Sequence, residues 1–251
     1  DWSSDVCSSD LLNTIRKNTK DKPLSKQTSP TTSQSTPVVS AGNPCPFLRG
    51  LVGAGMIDNG EVPIPRLLDA IETMASTRDE GTPDLSKNAL RAVAATANGF
   101  APSQIAHNLR HGVNLDTLRQ GPFYKHGVHS RTLTENSQVD HDQLARLASF
   151  GSTKTDQDGN VELGLNDKEI SRLLRDNFLR GAYAGHHRSP VQIPIMKAEY
   201  PLLLHVMGKQ GKKERYLSVS ELSALLIDHK FPERMMSKLT DKPDQTCPHQ
   251  K

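Results

Sequence analysis

Apolar residues recur at helical spacing through almost all of residues 42–236, and this pattern constrains the fold more than any other feature. A helix places residues three or four apart on one face, whereas a strand needs apolar and polar residues to alternate. No alternation of strand period lasts more than a few residues. We therefore predict an all-α fold, with one helical domain and long loops.

The clearest predicted helix runs from Asn166 to Gly181. Asn166 is a typical N-cap residue, and Glu169 three positions later completes a capping box. Asp140 and Gln143 form a similar pattern before a predicted helix that ends at Phe150. Four apolar side chains are expected to face inward from the helix after Asn166: Ile170, Leu173, Leu174 and Phe178.

The two ends of the chain have a different composition from the helical region. Residues 1–11 resemble a translated sequencing adapter, so we exclude them from fold reasoning. Residues 12–41 are rich in Ser, Thr, Pro, Gln and Lys and predict a disordered tether; residues 237–251 predict a polar tail. Without the first eleven residues, which include three acidic ones, the formal charge changes from +3 to +6.

Charge and composition exclude several classes of function. Lys and Arg are dispersed and aromatic residues make up only 4% of the chain, which argues against nucleic-acid binding. No apolar run is long enough to predict a membrane span. Cys45 and Cys247 remain once residues 1–11 are set aside, and they imply no disulfide framework. The sequence predicts neither a compartment nor an oligomeric state.

Cys45 is the only cysteine in the helical region, and it stands between Pro44 and Pro46 where a predicted helix begins. The two prolines restrict the backbone on either side of the thiol. Unpaired N–H groups and the positive end of the helix dipole favour a thiolate at such a position. We therefore expect a thiolate that binds a soft metal centre or attacks an electrophile. The alternative is a buried structural cysteine.

The segment around Cys45 also resembles a known family. Pro-Cys-Pro, a short apolar helix, the step Gly55-Met56-Ile57, and Gly60 before a Val-Pro segment are similar to the haem-thiolate peroxidases, the chloroperoxidases and peroxygenases. In that family the cysteine is the axial ligand of haem b. The resemblance implies that Cys45 is the iron ligand, that Pro44 and Pro46 shape the cofactor-binding loop, and that the fold is of the haem-thiolate haloperoxidase type.

The resemblance continues near the C-terminus, through residues 198–208, 219–227 and 231–234. The family has a glutamate there that stands above the haem and transfers the peroxide proton, and the matching residue is Glu199. Its neighbours Met196, Tyr200, Leu203 and Met207 are largely apolar, so a carboxylate on the same face is expected to be partly desolvated, as suits an acid–base group. The alternative is a solvated glutamate on a polar helix face.

The family's middle motif, Glu-His-Asp-x-Ser-x-x-Arg, has two competing counterparts. Residues 125–131 keep a histidine, His126, and a final Ser-Arg pair, whereas residues 140–143 keep the order acid, His141, acid. We prefer His126 as the residue that positions Glu199, because Asp140 and Gln143 already fit a helix cap. Lys125 replaces the acid that binds a structural cation in the family, which argues against bound Mg²⁺ or Mn²⁺.

The function implied by the resemblance is a haem-dependent peroxidase or peroxygenase. Its partners would be hydrogen peroxide and a halide or small organic substrate. Two alternatives remain open. One is a helical haem-binding protein that has lost peroxide chemistry; the other is a hydrolase with Cys45 as nucleophile and a distant histidine as base.

Two further motifs carry weaker signals. His107 and His111 lie four residues apart and could share a helix face, but no third ligand accompanies them, so a structural role is expected rather than zinc binding. Residues 155–162 resemble a calcium loop. Lys154 and Leu165 occupy two of the ligand positions, so we expect a polar turn instead.

Overall fold

The structure is a computed structural model, and it describes residues 38–79, 85–122, 132–134, 136, 138–185 and 192–240. These residues form nine α-helices, six short strands and one 3₁₀-helix at Leu115–Gln120. In chain order the helices and strands are α1 (Pro46–Gly53), β1 (Glu61–Val62), α2 (Ile64–Ala75), α3 (Lys87–Thr96), α4 (Pro102–Arg110), β2 (Val113–Asn114), α5 (His141–Ser149), β3 (Ser152–Thr155), β4 (Val161–Leu165), α6 (Asp167–Tyr183), α7 (Gln192–Met207), β5 (Lys209–Gln210), β6 (Arg215–Ser218), α8 (Val219–Asp228) and α9 (Glu233–Thr240).

The predicted all-α fold is wrong, because the chain also forms two antiparallel sheets. Strands β1 and β2 form a two-stranded sheet, and a four-stranded sheet has the order β3-β4-β6-β5. Strand β4 is central: Thr153 pairs with Leu163 on one side, and Gly164 pairs with Ser218 on the other. The fold is therefore a mixed α/β one in which several helices pack against the four-stranded sheet.

The strands escaped prediction because each has at most five residues, too few for an alternation of apolar residues to stand out; β4 does alternate, as Val-Glu-Leu-Gly-Leu. Strand β3 reads Ser-Thr-Lys-Thr and has no apolar residue. The apolar side chains of Val161 and Leu163 in β4 point to solvent, with 66% and 41% of their surface exposed. The pairing of β4 with β6 joins residues far apart in the sequence, which no local pattern reveals.

Two groups of ion pairs join the strands to each other and to α6. The Lys209 ammonium lies 2.7 Å from Oε1 of Glu162 and 3.0 Å from Oδ2 of Asp156. The Lys154 ammonium lies 2.9 Å from Oε2 of Glu169 and 2.8 Å from Oε1 of Glu214. The Lys209 ammonium therefore pairs with two carboxylates of residues 155–162, the segment that resembles a calcium loop. The predicted polar turn is confirmed, since Asp156 accepts hydrogen bonds from Asn160 across it.

Several predicted helix starts are confirmed. Asn166 and Glu169 form the complete capping box of α6, and Asp140 accepts a hydrogen bond from the Gln143 N–H at the start of α5. The inward face of α6 is confirmed for Ile170 and Leu173, which are buried, whereas 42% of the surface of Phe178 is exposed. Capping residues were readable from sequence because they act on backbone groups two or three positions away.

Helix α1 packs closely against α8 and the segment that follows it. Gly50 makes this possible, because a Cβ there would lie 2.6 Å from the side chain of Leu225. The rings of Phe47 and Phe231 meet edge to face with centroids 5.2 Å apart. The main hydrophobic core extends from these contacts through α2 and α7. Val39, at the end of the predicted tether, also packs against this core.

Among the described residues, no helix combines the length and the apolar character that crossing a membrane requires.

Candidate functional site

Cys45 is the N-cap residue of α1, as its position between two prolines predicted. Pro46 is the first residue of the helix, and the carbonyl of Cys45 accepts the first helical hydrogen bond, from the Arg49 N–H at 3.0 Å. The fully buried Asn43 accepts a hydrogen bond from the Cys45 N–H through its Oδ1 at 3.2 Å. This Asx turn and the half-buried Pro44 hold the backbone at Cys45 in place.

The Cys45 thiol is protonated at neutral pH, contrary to the thiolate expected from its place at a helix N-terminus. Burial raises the pKa of the thiol to about 11. The backbone N–H groups of Leu48 and Phe47 lower the pKa, as a helix N-terminus should, although no side-chain cap hydrogen bond forms in the described helix. Loss of solvation is thus the larger effect, and it favours the uncharged thiol.

Glu199 acts on the same thiol from α7. The charge of its half-buried carboxylate contributes to the raised pKa of Cys45. The adjacent Tyr200 is buried, and burial and the charge of Glu199 both raise the pKa of its phenol, while a hydrogen bond with Thr132 lowers it. The structure therefore brings two of the predicted site residues, Cys45 and Glu199, within electrostatic reach of each other.

Glu199 is half-buried on α7. Leu203 and Met207 are buried on the same helix. Pro201 lies inside the helix, two residues after Glu199. A proline there lacks the N–H that would bond to the carbonyl of Lys197, so the backbone beside Glu199 lacks one helical hydrogen bond.

The two candidates for the positioning histidine have different outcomes. His126 falls in residues 123–131, outside the described part of the chain. His141 is the exposed first residue of α5, and it lines a cleft together with Arg49 and His229. Among the described residues, neither Cys45 nor Glu199 lines that cleft or a second one beside Gln104 and His107.

The other candidate metal ligands, His107 and His111, make ordinary side-chain contacts. Nε2 of His107 forms a hydrogen bond with Oε1 of Glu61 at 2.7 Å, and the His107 ring lies 4.9 Å from that of His111. The described residues contain no group of three or more His, Cys, Asp or Glu side chains that could hold a metal ion.

Sequence reasoning missed two residues that the fold brings together, Arg49 and His229. Nη2 of Arg49 lies 2.8 Å from Nε2 of His229. His229 ends α8 with a φ of 56°, in the left-handed region. The sequence carried one signal for Arg49, which is a charged residue inside the apolar stripe of α1. Nothing local pointed to His229.

Comparisons of the chain with protein families, with curated proteins and with solved structures find no match. The resemblance to haem-thiolate peroxidases therefore stays a prediction that rests on the residues described above.

Proposed function

We propose that the protein is a haem-thiolate peroxidase or peroxygenase, with Cys45 as the iron ligand and Glu199 as the acid–base group. The observation that carries the proposal is the electrostatic effect of Glu199 on the Cys45 thiol. Two groups that both become anions are costly to place near each other in a poorly solvated site. A metal centre that supplies positive charge there removes this cost and allows the thiol to ionise.

The residues fit a haem iron in their donor chemistry. A haem brings four ring nitrogens of its own and needs a single protein side chain as axial ligand, and a thiolate is a known axial ligand. Cys45 is free, stands at a helix start and is held by Asn43. When bound, haem b would supply the oxidising chemistry by which hydrogen peroxide acts on a halide or a small organic molecule.

The roles of the protein groups follow from their positions. Cys45 would lose its proton and hold the cofactor, and the N–H groups of Phe47 and Leu48, which lower the pKa of the thiol, would stabilise the thiolate. A carboxylate oxygen of Glu199 would accept a proton from hydrogen peroxide and return it to the oxygen that leaves as water. Tyr200 and Leu203 are buried on the same helix as Glu199. His126 is assigned to orient Glu199 by the resemblance alone.

The test is a titration of the purified chain with haem b, followed by stopped-flow mixing with hydrogen peroxide. Glu199→Gln keeps the shape of the side chain but cannot cycle a proton, so it should bind haem normally and react with peroxide at least roughly a hundredfold more slowly. His126→Ala should show a smaller loss and His141→Ala none. Wild-type rates in Glu199→Gln would place the acid–base group elsewhere.

One alternative function is distinguished by the same experiment. Haem binding with no peroxide turnover in the wild-type chain would indicate a haem-binding protein without peroxidase activity. The hydrolase alternative finds no support in the described residues, because a thiol with a pKa of about 11 is a poor nucleophile at neutral pH and no described histidine is among the groups that act on it.

A further inference from the structure

The loop that leads into Cys45 is held by the guanidinium of Arg49. Nη1 of Arg49 donates hydrogen bonds to the carbonyl oxygens of Ser40 at 2.8 Å and Asn43 at 3.1 Å. Asn43 in turn accepts the hydrogen bond from the Cys45 N–H through its Oδ1. Arg49 and Asn43 are 4% and 0% exposed, so the loss of this donor would leave a buried carbonyl unsatisfied, which is costly. Hydrogen bonds therefore connect Arg49 to the backbone of Cys45 through a single residue, Asn43.

The other side of the same guanidinium contacts His229. Nη2 of Arg49 lies 2.8 Å from Nε2 of His229. Arginine has only donors, so Nη2 donates and the imidazole is neutral, with its Nε2 as the acceptor. Gly53 allows this approach, because a Cβ at that position would lie 2.3 Å from the His229 carbonyl oxygen. The backbone of His229 is thus packed against the end of α1, the helix that carries Arg49.

These hydrogen bonds affect the thiol because burial has the largest influence on its pKa. Desolvation raises the pKa of Cys45 to about 11, and the Asx turn of Asn43 fixes the backbone at the start of α1. Nε of Arg119 donates to the carbonyl of Ala41 at 2.6 Å, so the earlier part of the loop has a second anchor. When the Asn43 carbonyl loses its donor, the turn after that anchor opens locally and water reaches the thiol. The burial of the thiol therefore depends on Arg49.

We propose that Arg49 is a positioning residue that keeps the Cys45 thiol buried, and that protonation of His229 weakens the hydrogen bonds by which it does so. A protonated imidazole no longer accepts a hydrogen bond at Nε2, and it places a positive charge 2.8 Å from a buried guanidinium. Like charges repel strongly at this distance in a poorly solvated site. The contact then breaks, and the guanidinium loses the bond that keeps Nη1 directed at the carbonyls of Ser40 and Asn43.

The charges around the contact oppose a proton on His229 at neutral pH. Besides Arg49, the described charged and titratable groups near the contact are Arg119 of the 3₁₀-helix, His141 of α5, Asp228 at the end of α8, and Lys230. Burial and the charge of Arg49 lower the pKa of His229, whereas the Leu225 carbonyl and Asp228 raise it. The resulting pKa lies below the ordinary value of 6.5, so the imidazole is neutral at pH 7 and becomes charged in mild acid.

The first test measures how well the folded chain, without haem, protects Cys45 from a thiol reagent. With the other two cysteines replaced by serine, the labelling rate of the folded chain is divided by that of the denatured chain at the same pH. Arg49→Met removes the donors and should raise this ratio at least roughly tenfold near neutral pH, because the turn opens more often. Arg49→Lys keeps a charged donor and should restore part of the protection. Arg66→Met, which removes an exposed arginine paired with Asp58, is the matched control and should label as its parent does.

The second test follows the same ratio from pH 7.5 to 5 with dithiodipyridine, a reagent that labels thiols in acid. The pKa of the thiol is about 11 in the folded chain and 9.0 for an ordinary thiol, so titration of Cys45 itself leaves the ratio constant in this range. The ratio should rise several-fold as the pH falls through the pKa of His229, while circular dichroism shows a folded chain. His229→Asn tolerates the left-handed backbone and does not titrate, so its ratio should stay flat. His141→Gln, in the same cleft, should keep the parent profile.

The proposal is overturned if Arg49→Met protects Cys45 as well as its parent does, or if the parent ratio does not change with pH. It is also overturned if the ratio rises equally in His229→Asn, because another group would then cause the pH dependence. If Arg49→Met does not fold, the pH series decides, since it uses the folded parent chain. Both tests omit haem, so their failure leaves the proposed peroxidase function standing; only the expected effect of Arg49 on iron ligation rests on that function.

Discussion

The carboxylate of Glu199 raises the pKa of the Cys45 thiol, although the two residues belong to helices near opposite ends of the described chain. Helix α1 presents the thiol at its first turn and α7 presents the carboxylate close to Pro201. Burial of the thiol makes this interaction stronger than it would be in water. Glu199 can therefore be ionised while the Cys45 thiol is neutral, whereas ionisation of both side chains requires a cation that compensates the second charge.

Cys45 should react slowly with alkylating reagents in the native chain. Its pKa is about 11 when folded, against 9.0 for an ordinary thiol, so at pH 8 the thiolate fraction is about a hundredfold lower than in unfolded chain. A Cys7→Ser/Cys247→Ser variant isolates Cys45, and iodoacetamide labelling with and without denaturant measures the ratio. A ratio near one would show that the thiol is not desolvated.

The same shift makes the stability of the fold depend on pH. The pKa of Cys45 is higher in the folded chain than in the unfolded chain. The contribution of the neutral thiol to the free energy of unfolding is therefore fully present below pH 9 and is lost as the pH rises through about 11.

Removal of the Glu199 charge should lower the pKa of Cys45 and speed its alkylation. Glu199→Gln in the single-cysteine background keeps the size of the side chain, so the burial of the thiol is unchanged while the repulsion disappears. The pH dependence of labelling measures the shift. Glu233→Gln, an exposed residue of α9, is the control and should label like its parent. If both variants behave alike, the two residues do not interact.

Lys154 should be essential for stability although it lies in a strand with no apolar residue. The side chains of Lys154 and Glu169 are 8% and 6% exposed and lie 2.9 Å apart. Lys154→Met leaves a buried carboxylate without its partner and should lower the free energy of unfolding by about 3–5 kcal/mol. Urea denaturation measures the loss. The double variant Lys154→Met/Glu169→Gln should recover part of it, because no buried charge then remains unpaired; a double variant worse than the single one would contradict this account.

His229 should make the fold sensitive to mild acid. Burial and the Arg49 guanidinium lower the pKa of the imidazole, while Asp228 acts in the opposite direction. A lowered folded pKa means that the stability is fully present above the ordinary value of 6.5 and is lost as the pH falls through the folded pKa. His229→Asn tolerates the left-handed backbone and does not titrate. Urea midpoints between pH 7.5 and 5 should fall further for the wild type than for this variant, and parallel curves would rule out the assignment.

The parts of the fold that depend on neighbouring residues could be predicted from the sequence. Asn166 and Glu169 interact across one helical turn, and their capping box appears as expected. The pairing of Gly164 with Ser218 joins two strands that are distant in the sequence, so no local pattern predicts it. Lys154 is buried in the fold, although a lysine in a polar segment is expected at the surface. Strand β3 has no apolar residue and β4 alternates over only five residues, so the sheet could not be predicted from the hydrophobic pattern.

The helix start at Cys45 and the partial burial of Glu199 could be predicted from the sequence, but the electrostatics of the thiol could not. Two prolines placed Cys45 at the helix start, and the apolar residues of α7 indicated that Glu199 would be partly buried. The protonation state of the thiol depends on how completely other segments cover it, and the helix dipole alone gave the wrong direction. The contact of Arg49 with His229 depends on the packing of α1 against α8, which no motif describes.

The absorbance spectrum of the haem-loaded chain, reduced under carbon monoxide, tests the central claim most directly. Ligation by the Cys45 thiolate predicts the Soret band typical of a thiolate–iron–carbon monoxide complex. Cys45→Ala and Cys45→His should abolish this band, and Cys7→Ala and Cys247→Ala should retain it. An unchanged thiolate spectrum in Cys45→Ala, or a wild-type chain that binds haem without this band, would contradict the account.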